Sequence, residues 1–306
     1  MNINSNVFIV IATYNSIQWI EQCLNSIPKD CNTVIIDNNS SDNTVSFIKE
    51  KFPKSYLIEE KENLGFGKAN NIGISYALNR GAEYIFLLNQ DAYLEQDTIS
   101  KLIQASKENP NYGILSPIHL NGNGSKLDSN FAVYIQQNRE LQFDSLKGNI
   151  ENKPYNVSFV NAASWFIPKN TFEKIGGFDP IFYHYGEDNN FCQRVIYHKL
   201  KVGVVPDVYI KHDREDRVAK KEQSFKEKLV LKERFYKSKW ANINVNLKPN
   251  KIKKKKLKQI IKDLMLLRIK SAYSQFKEYR MTLRILPAIY KSRNLNKMKG
   301  KHYLKY

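Results

Sequence analysis

The chain has 306 residues, is 42% hydrophobic and carries a formal net charge of +18. This length and apolar content suffice for one good-sized core with an appendage. The three cysteines lack the spacing of metal ligands, and the apolar run at residues 7–12 is too short for a signal peptide or a membrane span. We therefore expect a cytoplasmic protein with reduced thiols.

The charge is distributed unevenly along the chain. Residues 1–216 hold 20 Lys and Arg against 25 Asp and Glu, whereas residues 217–306 hold 28 against 5. An acidic region is thus joined to a strongly basic one near residues 212–217. We predict two regions with these boundaries, and the basic balance describes only the second.

Strands and helices alternate in the first part of the sequence. Nearly unbroken apolar runs at residues 7–12 and 33–37 predict strands that are covered on both faces. Residues 17–27 carry apolar side chains at helical spacing. A third strand is expected at residues 55–59, followed by a helix that begins in the loop at residues 63–71. This β-α-β-α order predicts a parallel sheet whose polar strand ends share one edge.

The loop at residues 63–71 contains Gly65 and Gly67 followed by Lys68. Free backbone N–H groups at a helix start favour an anion such as phosphate. The spacing fits neither the dinucleotide fingerprint nor the Walker loop, so a purely structural turn is equally compatible with this loop.

The apolar run at residues 84–88 ends abruptly in Asn89, Gln90 and Asp91. A carboxylate beside two amides, at the edge of the sheet where ligands bind, offers hard oxygen ligands to a divalent cation. Asp91 could instead serve only to cap the following turn.

The remainder of the acidic region continues the alternation. Further elements are expected as helices at residues 96–105 and 170–175 and as strands at residues 112–116, 202–205 and 208–211, and residues 159–168 are expected to return to the core. Residues 119–156 are polar and turn-rich, and are interpreted as an insertion or a hairpin.

Glu187 and Asp188 stand together at the start of a predicted helix, after the aromatic residues 182–185. The helix dipole would stabilise both as anions, so they could serve simply as helix N-terminal charges. They are also candidates for a general base.

These segments resemble, in order and spacing, the family 2 glycosyltransferases, and especially the branch that includes bacterial rhamnosyltransferases. The matching stretches are VIATYN, IIDNNSSDNT, ENLGFGKANN, FLLNQDA, GGFDPIFYHYGEDNNFCQR and the strand before His212. They cover roughly residues 6–213. The resemblance implies an α/β protein of GT-A fold, with a Rossmann-like, mostly parallel central sheet and flanking helices. A basic helical tail would follow this domain.

The resemblance also implies a donor, a cofactor and a set of site residues. The donor would be a UDP- or dTDP-sugar, and Mg²⁺ or Mn²⁺ would be held by Asp91, the remaining acid of an Asp-x-Asp motif that has Asn89 in its first position. His212 would complete the metal site. Asp37 would accept hydrogen bonds from the uracil or thymine ring. The implied nucleotide-binding residues are Thr13, Tyr14, Asn15, Asp37, Asn39, Asp42, Asn63, Gly65, Asn70, Asn89 and Gln90.

The expected reaction is one inverting displacement by a hydroxyl of a saccharide or lipid-linked saccharide, in the synthesis of bacterial surface polysaccharide. Asp188, with Glu187 positioning the acceptor, is the expected base. A nucleotidyltransferase is the first alternative, but the loop after the first strand, ATYNSIQW, has no basic residue. A nucleic-acid-binding protein is the second, suggested only by the basic region.

Residues 251–273 place an apolar stripe among many Lys and Arg, with no apolar run longer than four residues. Such a segment cannot span a bilayer, but a basic amphipathic helix can lie on an anionic one. We therefore expect a peripheral protein on the cytoplasmic face of the bacterial inner membrane and no specific nucleic-acid partner. A helix that simply packs on the body is the alternative.

Overall fold

The computed structural model describes residues 6–136, 138–151, 153–214 and 224–306. Contacts divide the chain into two compact units, Met1–Arg217 with Lys299–Tyr306, and Val218–Met298. The expected regions, 1–216 and 217–306, differ from this division in the last eight residues, which pack with the first unit. We call Lys299–Tyr306 the return segment. The expected junction at residues 212–217 lies partly outside the described residues.

Nine strands of the described residues form one sheet in the first unit. In chain order they are β1 (Val7–Thr13), β2 (Asn32–Asp37), β3 (Tyr56–Glu59), β4 (Tyr84–Leu88), β5 (Ala92–Leu94), β6 (Tyr112–Asn121), β7 (Tyr155–Val157), β8 (Ser164–Pro168) and β9 (Lys201–His212). Their spatial order is β3-β2-β1-β4-β8-β6-β9-β5, and β7 pairs with β9.

The sheet is parallel only in part. Strands β1 to β4 are parallel, as the alternating sequence pattern predicts. Strand β8 runs antiparallel to both β4 and β6, and β5 and β7 run antiparallel to β9. Strands β6 and β9 are parallel as well, so the expected parallel pairing occurs in both halves, and the sheet as a whole is mixed.

Eight helices of the described residues belong to the same unit. They are α1 (Ile20–Asn25), α2 (Thr44–Lys51), α3 (Phe66–Asn79), α4 (Thr98–Glu108), α5 (Ser129–Ile135), α6 (Arg139–Lys147), α7 (Lys169–Ile175) and α8 (Glu187–Tyr197). Within residues 119–156, the segment between β6 and β7 is an insertion that contains α5 and α6, and a short antiparallel bridge joins Leu120 to Leu127 at its start. The two strand-like pieces expected before His212 are one continuous strand, β9.

Alternate side chains of the central strands enter two apolar layers. In β1, Val7, Ile9 and Ile11 face one layer, while Phe8 and Val10 face the other. Helices therefore cover both faces of the sheet, which explains why the central strands are apolar at nearly every position. This leaves polar residues to gather where the strands end.

The return segment is tied to α3 and to the residues after α7. Gly177 N–H donates to His302 O at 2.8 Å, and Gly300 N–H donates to Lys174 O at 3.1 Å. Lys305 N–H donates to the Ser75 hydroxyl at 3.0 Å. These backbone contacts make the segment part of the first unit's framework.

The second unit contains the predicted basic helices, α9 (Phe225–Ala241), α10 (Pro249–Met265) and α11 (Ile269–Asn296). A small apolar cluster of Trp240, Met281, Ile285, Leu286 and Ile289 joins α9 to α11, and Ile252 of α10 packs against it. Within the described residues, none of the helices has the length and apolar character needed to cross a membrane.

Gly176→Ala tests the packing of the return segment. Gly176 has φ 74° and ψ −165°, a conformation that is almost restricted to glycine. A Cβ there would lie 2.1 Å from His302 O. We expect the substitution to lower the unfolding free energy by at least about 2 kcal/mol, measured by chemical denaturation.

Gly148→Ala is the matched control, because Gly148 also has a positive φ of 69° but would place its Cβ in open space. Its expected cost is only about 1 kcal/mol, the ordinary strain of a left-handed residue. Equal losses in the two variants would show that the return segment does not restrict Gly176.

Candidate functional site

A cavity of about 600 Å³ opens at the edge of the sheet where β1, β4 and β9 end. This is the edge at which ligands bind in open α/β sheets. Ten residues proposed from the sequence line the cavity: Thr13, Tyr14, Asn63, Gly65, Asn89, Gln90, Asp91, Glu187, Asp188 and His212. The structure thus gathers side chains from segments that are up to 199 residues apart in sequence.

Asp91 and His212 are brought together by strand pairing. Ala92 is the register partner of His212 in the antiparallel pair β5–β9, and Asp213 N–H donates to Asp91 O at 2.8 Å. The His212 Nε2 atom lies 3.4 Å from Asp91 Oδ1. Both residues line the cavity. Each is only 1% exposed, so the pair is shielded from bulk water.

Asp128 connects this pair to a cationic side chain that the sequence analysis did not identify. Its carboxylate caps α5 by accepting from Asn130 N–H and Phe131 N–H. It also accepts from Arg214 Nε at 2.7 Å and Nη2 at 2.5 Å, a two-pronged ion pair. The His212 Nδ1 atom lies 3.8 Å from the same carboxylate. Asp128 therefore orients Arg214 and places a carboxylate near the His212 ring.

Arg214 and Asn130 line the cavity together with these groups. Arg214 is the one Lys or Arg among the described residues that line it. No local sequence pattern predicts the Asp128–Arg214 pair, because the two residues are 86 positions apart and lie in segments without a recognisable motif.

A divalent cation fits the donor set of Asp91 and His212. Among the described residues, no group of three His, Cys, Asp or Glu side chains is arranged to hold a metal ion. A carboxylate and an imidazole would therefore supply two ligands, and the remaining ones would come from substrate oxygens and water. The imidazole nitrogen that faces away from Asp91 points to a carboxylate, which is the usual surrounding of a metal-binding histidine.

The acid pair lies in the first turn of α8, after Gly186 with φ 101°. Glu187 is buried, whereas Asp188 is partly exposed at the cavity. Burial in the surrounding protein raises the pKa of Asp188 to about 6, although its carboxylate accepts from Asn189 N–H at 2.7 Å. A helix N-terminal charge of purely structural value would have a lowered pKa. The raised pKa instead suits a group that exchanges a proton near neutral pH.

The Gln90 side chain makes its hydrogen bonds within the protein. Its Oε1 atom accepts from Thr13 Oγ1 at 3.0 Å and from Tyr14 N–H at 2.7 Å. Its Nε2 atom donates to Tyr14 O at 3.3 Å. Gln90 therefore links the end of β1 to the loop after β4. Its amide atoms are used in these bonds, so its main contribution is to the shape of the cavity.

Gly65 allows the loop before α3 to approach the aromatic residues 182–185. It has φ 79°, and a Cβ at this position would lie 1.9 Å from Tyr183 O. The Tyr183 hydroxyl donates to Asn63 O at 3.1 Å. Asn38, which the sequence analysis did not single out, donates to Asn63 Oδ1 at 3.0 Å. These contacts close one side of the cavity.

Five proposed nucleotide-binding residues do not line the cavity: Asn15, Asp37, Asn39, Asp42 and Asn70. The Asp37 carboxylate accepts from Ser40 N–H and Oγ, and Asp42 accepts from Thr44 N–H. In this structure, their carboxylates stabilise the loop after β2.

Asn15 and Asn70 also make hydrogen bonds within the protein. Asn15, with φ 48°, accepts from Ser41 N–H, and Asn39 has φ 68° in the same loop. Asn70 is buried in α3 and donates to Phe66 O at 3.0 Å. Asn15 and Asn39 have a positive φ, which asparagine tolerates better than most other residues.

Additional residues that were not proposed individually from the sequence also line the cavity. Besides those already described, they are Ala12, Phe66, Tyr134, Asn161, Ala162, Ala163, His184 and Tyr185. Tyr134 belongs to α5, so the region interpreted from the sequence as an insertion or a hairpin contributes to the wall of the cavity.

Comparisons with known proteins agree on a family and a fold. Residues 8–176 match glycosyl transferase family 2, and residues 159–216 match the N-terminal domain of galactosyltransferase. The dTDP-rhamnosyl transferase RfbF of Shigella flexneri is 26% identical over 214 residues, which cover 68% of this chain and 69% of that protein.

Two solved structures share the fold at low sequence identity. S. aureus TarS (residues 1–349) in complex with UDP has a TM-score of 0.53 at 16% identity, over 95% of this chain and 88% of that one. GalNAc-T7 with UDP, GalNAc and Mn²⁺ has a TM-score of 0.54 at 14% identity, over 78% of this chain and 51% of that one. The predicted GT-A fold is confirmed, and the family match over more than half of the sequence shows that the chain belongs to glycosyl transferase family 2.

Proposed function

We propose that the chain is an inverting glycosyltransferase that uses a UDP- or dTDP-sugar as donor. Its acceptor is a hydroxyl of a saccharide or lipid-linked saccharide, in the synthesis of bacterial surface polysaccharide. The observation that carries the proposal is one cavity in which Asp91, His212 and the acid pair meet at the ligand-binding edge of the sheet. The match to RfbF, named as a dTDP-rhamnosyl transferase, supports this class of donor.

The donor diphosphate is assigned to the side of the cavity where β4 and β9 end. Asp91 and His212 would hold Mn²⁺ or Mg²⁺, which neutralises charge on the leaving diphosphate when bound. The imidazole favours Mn²⁺, because Mg²⁺ prefers oxygen ligands. Arg214, held in orientation by Asp128, supplies a fixed positive charge and a guanidinium donor for a phosphate oxygen.

The acceptor is assigned to the side formed by α8. Its hydroxyl must lose a proton as it attacks the anomeric carbon, and a carboxylate within hydrogen-bond reach can take that proton. Asp188 is the proposed base, because its pKa of about 6 leaves it ionised at neutral pH but still basic. Glu187, the buried neighbour, positions the acceptor or the helix start.

Separate elements carry these two tasks, which fits a single displacement. The base lies on α8, and the groups that receive the leaving diphosphate lie at the ends of β4 and β9. An acceptor that attacks from the face opposite the leaving group inverts the anomeric centre. No covalent sugar–enzyme intermediate is required by this arrangement.

We also propose that the basic second unit associates with the cytoplasmic face of the bacterial inner membrane. Its charge supports this location, because residues 218–298 carry 24 Lys and Arg against 5 acids. Deleting residues 251–306 would be an unsuitable test, because it also removes the return segment of the first unit. Point variants of the helices avoid this difficulty.

Asp91→Asn and Asp91→Ala test the donor side. Both substitutions are expected to abolish transfer and metal-dependent binding of nucleoside diphosphate while leaving the fold intact, since Asp91 faces the cavity at a strand end. Thermal stabilisation by UDP or dTDP with Mn²⁺, together with product formation from a panel of sugar nucleotides, measures both effects. Asp97→Asn, at an exposed acid near the start of α4, is the control. Wild-type turnover in either Asp91 variant would refute the proposed site.

Asp188→Asn and Glu187→Gln test the acceptor side. We expect each to leave donor binding nearly unchanged and Asp188→Asn to lower the rate by about two to four orders of magnitude. In the wild type, the rate should fall as the pH drops below about 6, because the base becomes protonated. Normal rates in both variants would assign the acid pair a structural role.

Asp188→Asn can also be tested without substrate, through its effect on thermal stability. The raised pKa of Asp188 means that its ionised form costs folding stability above pH 6, and that this cost vanishes below the unfolded pKa of about 3.9. Asp188→Asn should therefore raise Tm at pH 7.5 and lose this advantage near pH 4. A helix-stabilising acid would show a lower Tm when replaced at pH 7.5.

Arg214→Gln tests the proposed cationic donor to the leaving group. Loss of a fixed charge that acts in the transition state should lower kcat by about two to three orders of magnitude, with a smaller change in donor KM. Arg214→Lys should recover part of the rate. Lys211→Gln, in β9 three residues before Arg214 and outside the cavity lining, serves as the control. Unchanged kcat in Arg214→Gln would limit Arg214 to pairing with Asp128.

A further inference from the structure

The connection between α10 and α11 presents a run of exposed apolar side chains. Residues 264–270, with the sequence LMLLRIK, are all exposed, and five of the seven are apolar. Met265 is 80% exposed, Leu267 83% and Ile269 61%. We call residues 264–270 the apolar turn. Side chains of this size normally lose contact with water when a helical unit folds, so their shared exposure calls for a partner.

The apolar turn is held in shape from its inner side. The buried Asp263 carboxylate accepts from Gln259 Nε2 at 3.0 Å and from the Ser271 hydroxyl at 2.7 Å. Arg268 N–H donates to Asp263 O at 2.8 Å. Ile260 and Ala272 are buried beneath it. The turn is therefore a preformed feature, and its outward apolar side chains do not need a rearrangement to become available.

The surroundings of the apolar turn are basic. Residues 248–270 contain ten Lys and Arg and one acid, which is the buried Asp263. Lys258, Lys262 and Lys270 are exposed beside the apolar side chains. An apolar notch of about 280 Å³, lined by Ile261, Met265 and Leu266 between Lys258 and Lys262, adjoins the turn.

This combination of charge and apolar surface selects one class of partner. A second copy of the same face would be repelled, because it presents the same uncompensated positive charge. Nucleic acid would bind the lysines but would leave the five apolar side chains in water. An anionic bilayer satisfies both, since its headgroups attract Lys and Arg and its acyl boundary accepts apolar side chains.

We propose that the apolar turn inserts into the boundary between headgroups and acyl chains of an anionic bilayer, while the neighbouring lysines contact the headgroups. This inference rests on the proposed function, in which the second unit associates with a membrane. It adds that binding has an apolar component located in the apolar turn, and that this component survives when salt screens the lysines.

Vesicle binding separates the two components. Full-length protein is mixed with vesicles of equal parts phosphatidylglycerol and phosphatidylcholine, and the bound fraction is measured by sedimentation. The double variant Met265→Ser with Leu267→Ser should bind at least about tenfold more weakly, because two apolar side chains no longer leave water. Leu146→Ser in the first unit is the matched control, since Leu146 is 90% exposed and lies on α6. It should bind as the wild type does.

A second measurement reports insertion directly. Leu267→Trp should show a blue-shifted emission with vesicles and should be quenched by lipids brominated on the acyl chains, beyond the change seen in the wild type with its three tryptophans. Circular dichroism verifies that each variant is folded. The exposed position of the substituted side chains makes loss of the fold an unexpected result.

The outcomes distinguish the inference from the proposal on which it rests. Wild-type protein that binds anionic vesicles, with equal binding by the double serine variant and no quenching, would overturn insertion and leave membrane association standing. Wild-type protein that ignores these vesicles at low salt would overturn both. Binding of RNA in place of vesicles would assign the basic unit to nucleic acid and also overturn the inference.

Discussion

The candidate site depends above all on the pairing of β5 with the end of β9. Strand β5 has only three residues, and it places Asp91 beside His212 across 121 positions of sequence. The pairing also directs the chain after His212 toward Asp128, so that Arg214 reaches the cavity. The backbone pairing thus places the carboxylate beside the imidazole, and the Asp128 side chain orients the guanidinium, before any ligand arrives.

The charge of the cavity sets a condition on its ligand. Asp91, Glu187 and Asp188 line the cavity, and Arg214 is the one basic side chain among the described lining residues. Arg214 is itself paired with Asp128. An anionic diphosphate would enter an acidic environment, and a divalent cation would relieve that repulsion. The balance of charges therefore supports the proposed divalent cation, in addition to the two suitable ligands.

The ends of β1, β2 and β4 could be predicted from the sequence because buried parallel strands are apolar and their polar termini share an edge. The position of Asp91 followed from that rule. The use of Gln90 to bind Thr13 and Tyr14 could not be predicted, because it depends on which backbone groups remain unpaired beside it. Likewise, the Asp128–Arg214 pair and the packing of the return segment join distant segments without a local signal.

The return segment places the helical unit inside the sequence of the first unit. The chain leaves the first unit near residue 217 and comes back at Lys299. During translation, residues 299–306 leave the ribosome after all three basic helices, and domains tend to fold as their residues emerge. The first unit therefore lacks the partner of Gly176 and Gly177 until the helical unit has been synthesised. The packing contacts of the first unit can therefore be completed only after the basic helices have been synthesised.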